Sequence, residues 1–261
     1  MKIIFKIMIK IDEKSFEKVK KWSFLMNSVP FLRGCFVCNS YAMGVSNENS
    51  DIDLFVVTKH GRLYTARFFM NFLFRIFALR TYRENTAGKF CLSFFADEDN
   101  LNFTALAKRR DFYFAYWIYT LKPIVDRKIS GGVKVSEKII GRNFWARDLI
   151  GMTNSSLQLD MSFYREKFFF STIFRKFFEI LFVSFIGTFF ETVFRKYQLR
   201  KIKRRLSRHG VVGEDVVLKR GLLKLHENDR RVAFRDAYLK EYGEKFNEEN
   251  FISLLKNFRG K

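Results

Sequence analysis

The apolar positions of the chain fall into two patterns. Short alternating or unbroken runs read as strands, and longer runs at three- and four-residue spacing read as helices. Residues 2–11 alternate in part, with Ile3, Phe5, Ile7, Ile9 and Ile11 to one side, as a strand or a frayed arm. Asp12 is placed to cap a helix over 13–27, whose apolar face carries Phe16, Val19, Trp22 and Met26. Pro30 and Gly34 bracket the turn into a core strand at 35–38. A second core strand covers 51–58 and stops at Lys59-His60-Gly61, where His60 reads as a loop residue. Over 62–79, Phe68, Phe69, Phe72, Leu73 and Ile76 repeat at helical spacing, and such a stripe has to be buried on the sheet. Residues 89–96 read as a third core strand.

Past residue 100 the pattern turns helical. Residues 109–121 interleave arginine with Phe112, Tyr113, Phe114, Tyr116, Trp117 and Tyr119. The spacing predicts a helix whose rings face the first domain, with base stacking as the other use of such rings. Lys122-Pro123 closes it, and Ser136 is placed to cap a further helix through Trp145 to Ile150. Residues 168–194 are rich in phenylalanine but are interrupted by Arg175, Lys176, Glu179 and Glu191. The uncharged run 180–190 falls short of the roughly 20 apolar residues a spanning helix needs. A long buried helix is the first reading. An in-plane interfacial helix is the second, because Arg195-Lys196 and Arg200-Lys201-Ile202-Lys203-Arg204-Arg205 follow directly. The same basic run could track a phosphate backbone, or simply solvate a helix end. Residues 209–213 read as a loop, and 214–258 as two or three amphipathic helices with Asn228 and Asn247 as caps. The sum is an α+β chain: a small mixed sheet with helices over 1–100, then a mostly helical region over 101–261.

Composition adds a partner class. At 48% hydrophobic residues the chain can bury a core as one large domain or two small ones. A formal net charge of +21 favours a polyanion such as RNA, DNA or an acidic membrane surface. A compositional habit, visible in 34 Phe against 2 Pro, accounts for the charge equally well. Cys35, Cys38 and Cys91 all fall in predicted strands and read as structural thiols, since Cys35-x-x-Cys38 lacks a second Cys/His pair at zinc spacing. His209 and His226 likewise lack ligand partners at recognisable spacing. The odd cysteine count fits a reducing cytoplasm, as does an N-terminus interrupted by Lys6 and Lys10 with no cleavage site after it.

The candidate chemistry lies in two neighbouring stretches, Asn39-Ser40-Tyr41-Ala42-Met43-Gly44 and Ser50-Asp51-Ile52-Asp53-Leu54. Strand alternation puts Asp51 and Asp53 on one side, with Cα atoms roughly 6–7 Å apart. Two anions that close call for a cation, and a hard divalent ion with phosphate oxygens is the usual answer. Upstream, the Ser40 hydroxyl and the turn amides could hold a phosphate. An Asp-x-Asp at a strand start can also serve only to cap a turn.

The arrangement resembles the nucleotidyltransferase superfamily typified by DNA polymerase beta, in its minimal form, over roughly residues 32–96. There a strand ends in Gly-Ser, and a short helix leads to an Asp-x-Asp strand. The resemblance implies a Mg²⁺- or Mn²⁺-dependent transfer of a nucleoside monophosphate from an NTP to an acceptor hydroxyl, with RNA as one acceptor. It implies that Asp51 and Asp53 bind the metal and act in catalysis, and that Asn39, Ser40 and Gly44 contact phosphates, Gly44 starting the short helix. Asn39 stands where the family has glycine, and asparagine is the next residue to tolerate a left-handed backbone. The family's third carboxylate, on a later strand, has no match in 89–96; Asp97, Glu98 and Asp99 follow at its end. An inactive module that binds nucleotide or RNA and a basic peripheral membrane protein are the rival readings.

Overall fold

Strand β2, Ile52–Thr58, is buried along its whole length and therefore needs a neighbour on each side and cover on both faces. Strand β1, Leu32–Val37, runs antiparallel to it, and β3, Phe90–Asp97, runs parallel on the other side. The parallel pair requires a crossover, which α3, Leu63–Ile76, provides. Three strands from beyond residue 100 extend the sheet: β4, Lys122–Asp126, beside β1; β6, Leu222–Lys224, beside β3; and β5, Val217–Lys219, at the far edge. The order is β4-β1-β2-β3-β6-β5, so one mixed sheet crosses the boundary at residue 100. The computed structural model describes residues 13–81, 86–151, 169–208, 216–225 and 229–258. The expectations for 2–11, Asp12, the Phe16 side chain, 209–213, His226 and Asn228 lie outside the described residues.

Ten α-helices among the described residues cover this sheet and make the fold α+β. Alternation divides their packing. Ile52, Leu54 and Val56 join a core with α1 (Glu13–Ser28), α3, α7 (Phe169–Leu181) and α8 (Phe185–Arg208). Phe55 and Val57 face the other way, toward α4 (Phe112–Thr120), α5 (Val135–Arg142), α6 (Phe144–Ile150), α9 (Arg231–Tyr242) and α10 (Glu248–Phe258). Phe55 is at the centre of that second core, with ring centroids 4.8 Å from Phe94, 5.3 Å from Trp117 and 5.8 Å from Phe103. The aromatics of α4 are core residues, as the helical reading expects. Asp111 caps that helix, accepting from the Phe114 amide at 3.0 Å.

The structure differs from the sequence reading at four places. Lys122-Pro123 follows the end of α4 as expected but also opens an edge strand, β4, that the sequence reading lacked; an edge tolerates a proline that cannot donate to a neighbour. The 136–150 helix is two, because the buried Asn143 amide breaks it: Nδ2 donates to the Leu101 and Ile139 carbonyls, and Oδ1 accepts from the Phe103 amide. Ser136 does not cap there; its hydroxyl donates to Asp126 Oδ2 at 2.6 Å. Within 214–258 the first segment is the hairpin β5–β6, turning through Gly221 at φ 78°, and only the rest is helical, with Asn247 Oδ1 accepting from the Asn250 amide at the start of α10. The long buried helix expected over 168–194 is instead α7 and α8, bent by 98° and apolar on an outer face that nothing covers among the described residues. No single described helix is long and apolar enough to cross a membrane.

The two phenylalanine environments differ enough to measure. Phe55→Ala should cost about 3–5 kcal/mol in urea unfolding, since Phe55 is fully buried. Phe185→Ala, at a position 86% exposed, should stay within about 0.5 kcal/mol. Equal losses would contradict this packing.

Candidate metal centre

Asp51 sits immediately before β2 and Asp53 within it, on the face shared with Phe55 and Val57. The third member of the group comes from the parallel strand. Asp53 is opposite Cys91, but Phe55 is opposite Phe94, so β3 carries one extra residue between the two pairings. This bulge lets Cys91 and Phe94, three apart, face the same side. The ligand atoms of Asp51, Asp53 and Cys91 all lie within 4.8 Å of one another.

The backbone ahead of α2, Asn39–Ala42, holds Asp53 in place. Asn39 adopts the left-handed conformation at φ 55°, which asparagine tolerates better than most residues. Its side-chain amide donates to Asp53 Oδ2 at 2.8 Å, a contact a glycine could not make. The Cys38 amide donates to the Asp53 carbonyl at 3.0 Å. Ser40 is buried in the first turn of α2, and the Val45 amide closes back onto its carbonyl at 2.9 Å. Gly44 does not start the short helix; it follows it, at φ 68°, with its amide turned to the Tyr41 carbonyl.

Electrostatics set the protonation of the group. Asp53 is 7% exposed, while Asp51 and Cys91 are half-buried. Burial pushes the Cys91 thiol well above its ordinary range, and the Asp53 and Asp51 carboxylates push it further. Burial and Asp53 do the same to Cys38, against a hydrogen bond from the Trp117 indole of α4. Cys91 is therefore a neutral thiol at neutral pH unless a cation joins it.

The donor set itself shows what would fit. One buried and one half-buried carboxylate suit a hard divalent ion that completes its shell with water and phosphate oxygens. The thiol adds a soft donor, which Mg²⁺ does not use and which Zn²⁺ or Cd²⁺ would deprotonate and bind. Asp51 and Asp53 would hold either kind of ion; Cys91 would favour the softer one.

Other residues of interest lie elsewhere. Asp97 pairs with Thr58 at the opposite end of β3 from Cys91 and takes hydrogen bonds from Asn100. His60 lies 3.3 Å from Asp97 and 2.9 Å from Asp99, so the acidic cluster after β3 forms its own network away from Asp51 and Asp53. Arg67 is buried on the opposite sheet face, donates to Gln198 Oε1 at 2.6 Å and stacks over Phe95, and burial lowers its guanidinium to about 9. Arg62 lies over the Phe31 ring and donates to the Val183 carbonyl. Cys35 and Cys38 are buried as expected of structural thiols, whereas Cys91 belongs to the site. The signal for it was the parallel neighbour strand, but its facing depends on the bulge. Comparison with family models, with curated proteins and with solved structures finds no match for the chain.

Metal titration of the purified chain reads this geometry. Zn²⁺ or Cd²⁺ should bind at least about tenfold tighter than Mg²⁺, and Cys91→Ser should remove most of that preference. Asp51→Asn/Asp53→Asn should abolish binding of all three. A Cys91→Ser variant whose preference for Zn²⁺ or Cd²⁺ over Mg²⁺ is undiminished would exclude the thiol as a ligand.

Proposed function

We propose that the protein is a divalent-metal-dependent nucleotidyltransferase that moves a nucleoside monophosphate from an NTP to an acceptor hydroxyl. The observation that carries this reading is the convergence of Asp51 and Asp53 with the Asn39–Ser40 turn, held by the hydrogen bond from Asn39 to Asp53. That puts a carboxylate pair beside a turn with a left-handed residue and a serine, a combination suited to a metal-bound polyphosphate.

The roles follow from position. Asp51 and Asp53 would bind the cation, the Asn39 amide fixes the Asp53 carboxylate, and the turn at Asn39–Ser40 would meet the phosphates. A bound divalent ion would neutralise phosphate charge and align the attacking and leaving oxygens. The acceptor oxygen bonds to the α-phosphorus as the bond to pyrophosphate breaks, and the hydroxyl proton is released. Cys91 is a poor proton acceptor, because two neighbouring carboxylates and burial keep its thiol protonated. The net charge of +21 favours RNA as the acceptor.

The same thiol favours a second reading. Where a third carboxylate would complete the site there is Cys91, and Asp97 and Asp99 lie at the far end of the strand. A module that binds metal and nucleotide without transferring it has the same first contacts and no need of a base.

An assay with α-labelled NTPs, Mg²⁺ or Mn²⁺, and pooled RNA and protein acceptors separates the two. Label transfer that falls at least about 100-fold in Asp51→Asn/Asp53→Asn supports the enzyme. Metal-dependent NTP binding without transfer, lost in the same variant, supports the binding module. Neither transfer nor binding would overturn both.

A further inference from the structure

We infer that the outer face of α7 and α8 is a docking surface for an anionic phospholipid bilayer, lying in the membrane plane rather than crossing it. The observations are independent of the chemistry at Asp51 and Asp53. In α7, Phe170, Ile173, Phe177 and Ile180 recur at helical spacing and all are at least half exposed. At the start of α8, Phe185, Ile186 and Phe189 continue the same apolar character, with Phe185 among the most exposed. A face of this extent exceeds what scattered surface hydrophobes produce.

The carboxylates that interrupt this segment in sequence do not interrupt it in space. Glu191 turns inward to the start of α3, accepting from the Tyr64 and Thr65 amides at 2.9 and 2.8 Å. Glu179 turns inward to the Phe31 amide at 2.8 Å and pairs with Arg175 at 3.0 Å. What is left outward is apolar apart from Lys176 and the hydroxyls of Ser184 and Thr188.

Along α8 one stripe carries the second half of the argument. Ile186, Phe189, Val193, Tyr197, Arg200 and Arg204 follow one another at three- and four-residue steps, and all are exposed. The stripe thus passes from apolar, through a tyrosine, to basic, the order in which a helix lying at an interface meets acyl chains and then headgroups. The opposite stripe, with Gln198 and Ile202, is buried against the protein. A cavity of about 300 Å³ beside the α7–α8 turn is lined by Arg33, Lys59, Lys176 and Glu179 with Phe31, Ile180 and Val183, so three cations against one carboxylate lie next to an apolar rim where a lipid phosphate would fit. A nucleic acid would use the arginines but has no use for isoleucine and valine. The 98° bend and the basic end of α8 rule out a straight crossing.

The test is flotation of the full chain with phosphatidylcholine vesicles, with and without phosphatidylserine, at low and high salt. Binding should require phosphatidylserine and weaken with salt. Phe185→Asp/Phe189→Asp should reduce it about tenfold or more with unchanged circular dichroism and metal affinity. Arg200→Glu/Arg204→Glu should remove the phosphatidylserine preference, and Phe185→Trp should show a blue-shifted emission on binding. No flotation at low salt would overturn the inference. So would RNA binding that competes with vesicles and is untouched by Phe185→Asp/Phe189→Asp, or self-association that buries the face and leaves vesicles unbound.

Discussion

A carboxylate on the central strand of a sheet is costly to bury unless donors or a cation offset its charge. Asp53 is in that position, and the surrounding structure follows from it. Asn39 gives up the β-region to bring its amide to the carboxylate, and the chain after β1 turns there rather than continuing the strand. The bulge in β3 brings Cys91 round to the same side. Asp51, one alternation earlier and closer to solvent, adds a second carboxylate on the same side. The proposed metal-nucleotide chemistry rests on this local cluster rather than on any large cavity.

The sheet keeps two kinds of surface apart. One face carries the carboxylates and an aromatic core built on Phe55, Phe103 and Trp117. The other carries α1, α3 and the bent pair α7–α8, whose inward residues include Phe178, Phe182 and Phe190. Arg67 and Gln198 are paired inside that second layer, a buried polar contact that ties α3 to α8. With Glu191 on the first amides of α3, it fixes α8 along the crossover helix and leaves the phenylalanines of the outer face exposed. A bilayer on that side would leave the carboxylate face turned toward water.

Much of this was legible in the residues. The core strands, the crossover helix and the aromatic α4 follow from periodicity, because long apolar patterns leave few alternatives. The three-residue strands β5 and β6 are too short to show a period and read as parts of helices. The split at Asn143 depends on carbonyls and an amide from elsewhere in the fold, which no local pattern announces. At the site, Asp51, Asp53, Asn39 and Ser40 stood out by spacing. Cys91 did not, because strand alternation counted back from Phe94 puts it on the wrong face and only the bulge corrects this. The exposure of α7 and α8 was only the second of two readings, because a phenylalanine-rich stretch reads as a buried helix until its neighbours are known.

The parallel pairing of β2 and β3 also decides when the centre can exist. Adjacent antiparallel strands can zip from a turn, but Asp53 meets Cys91 only after α3 has formed, docked and carried the chain back across the sheet. Contacts of that kind come late, since loop closure has to precede the interactions that reward it. Nascent or partly folded chains therefore lack the three-residue group, and a metal ion held there, as proposed, would bind only the finished fold and draw it away from the unfolding equilibrium. In a cell whose metal supply varies, the lifetime of this protein would vary with it.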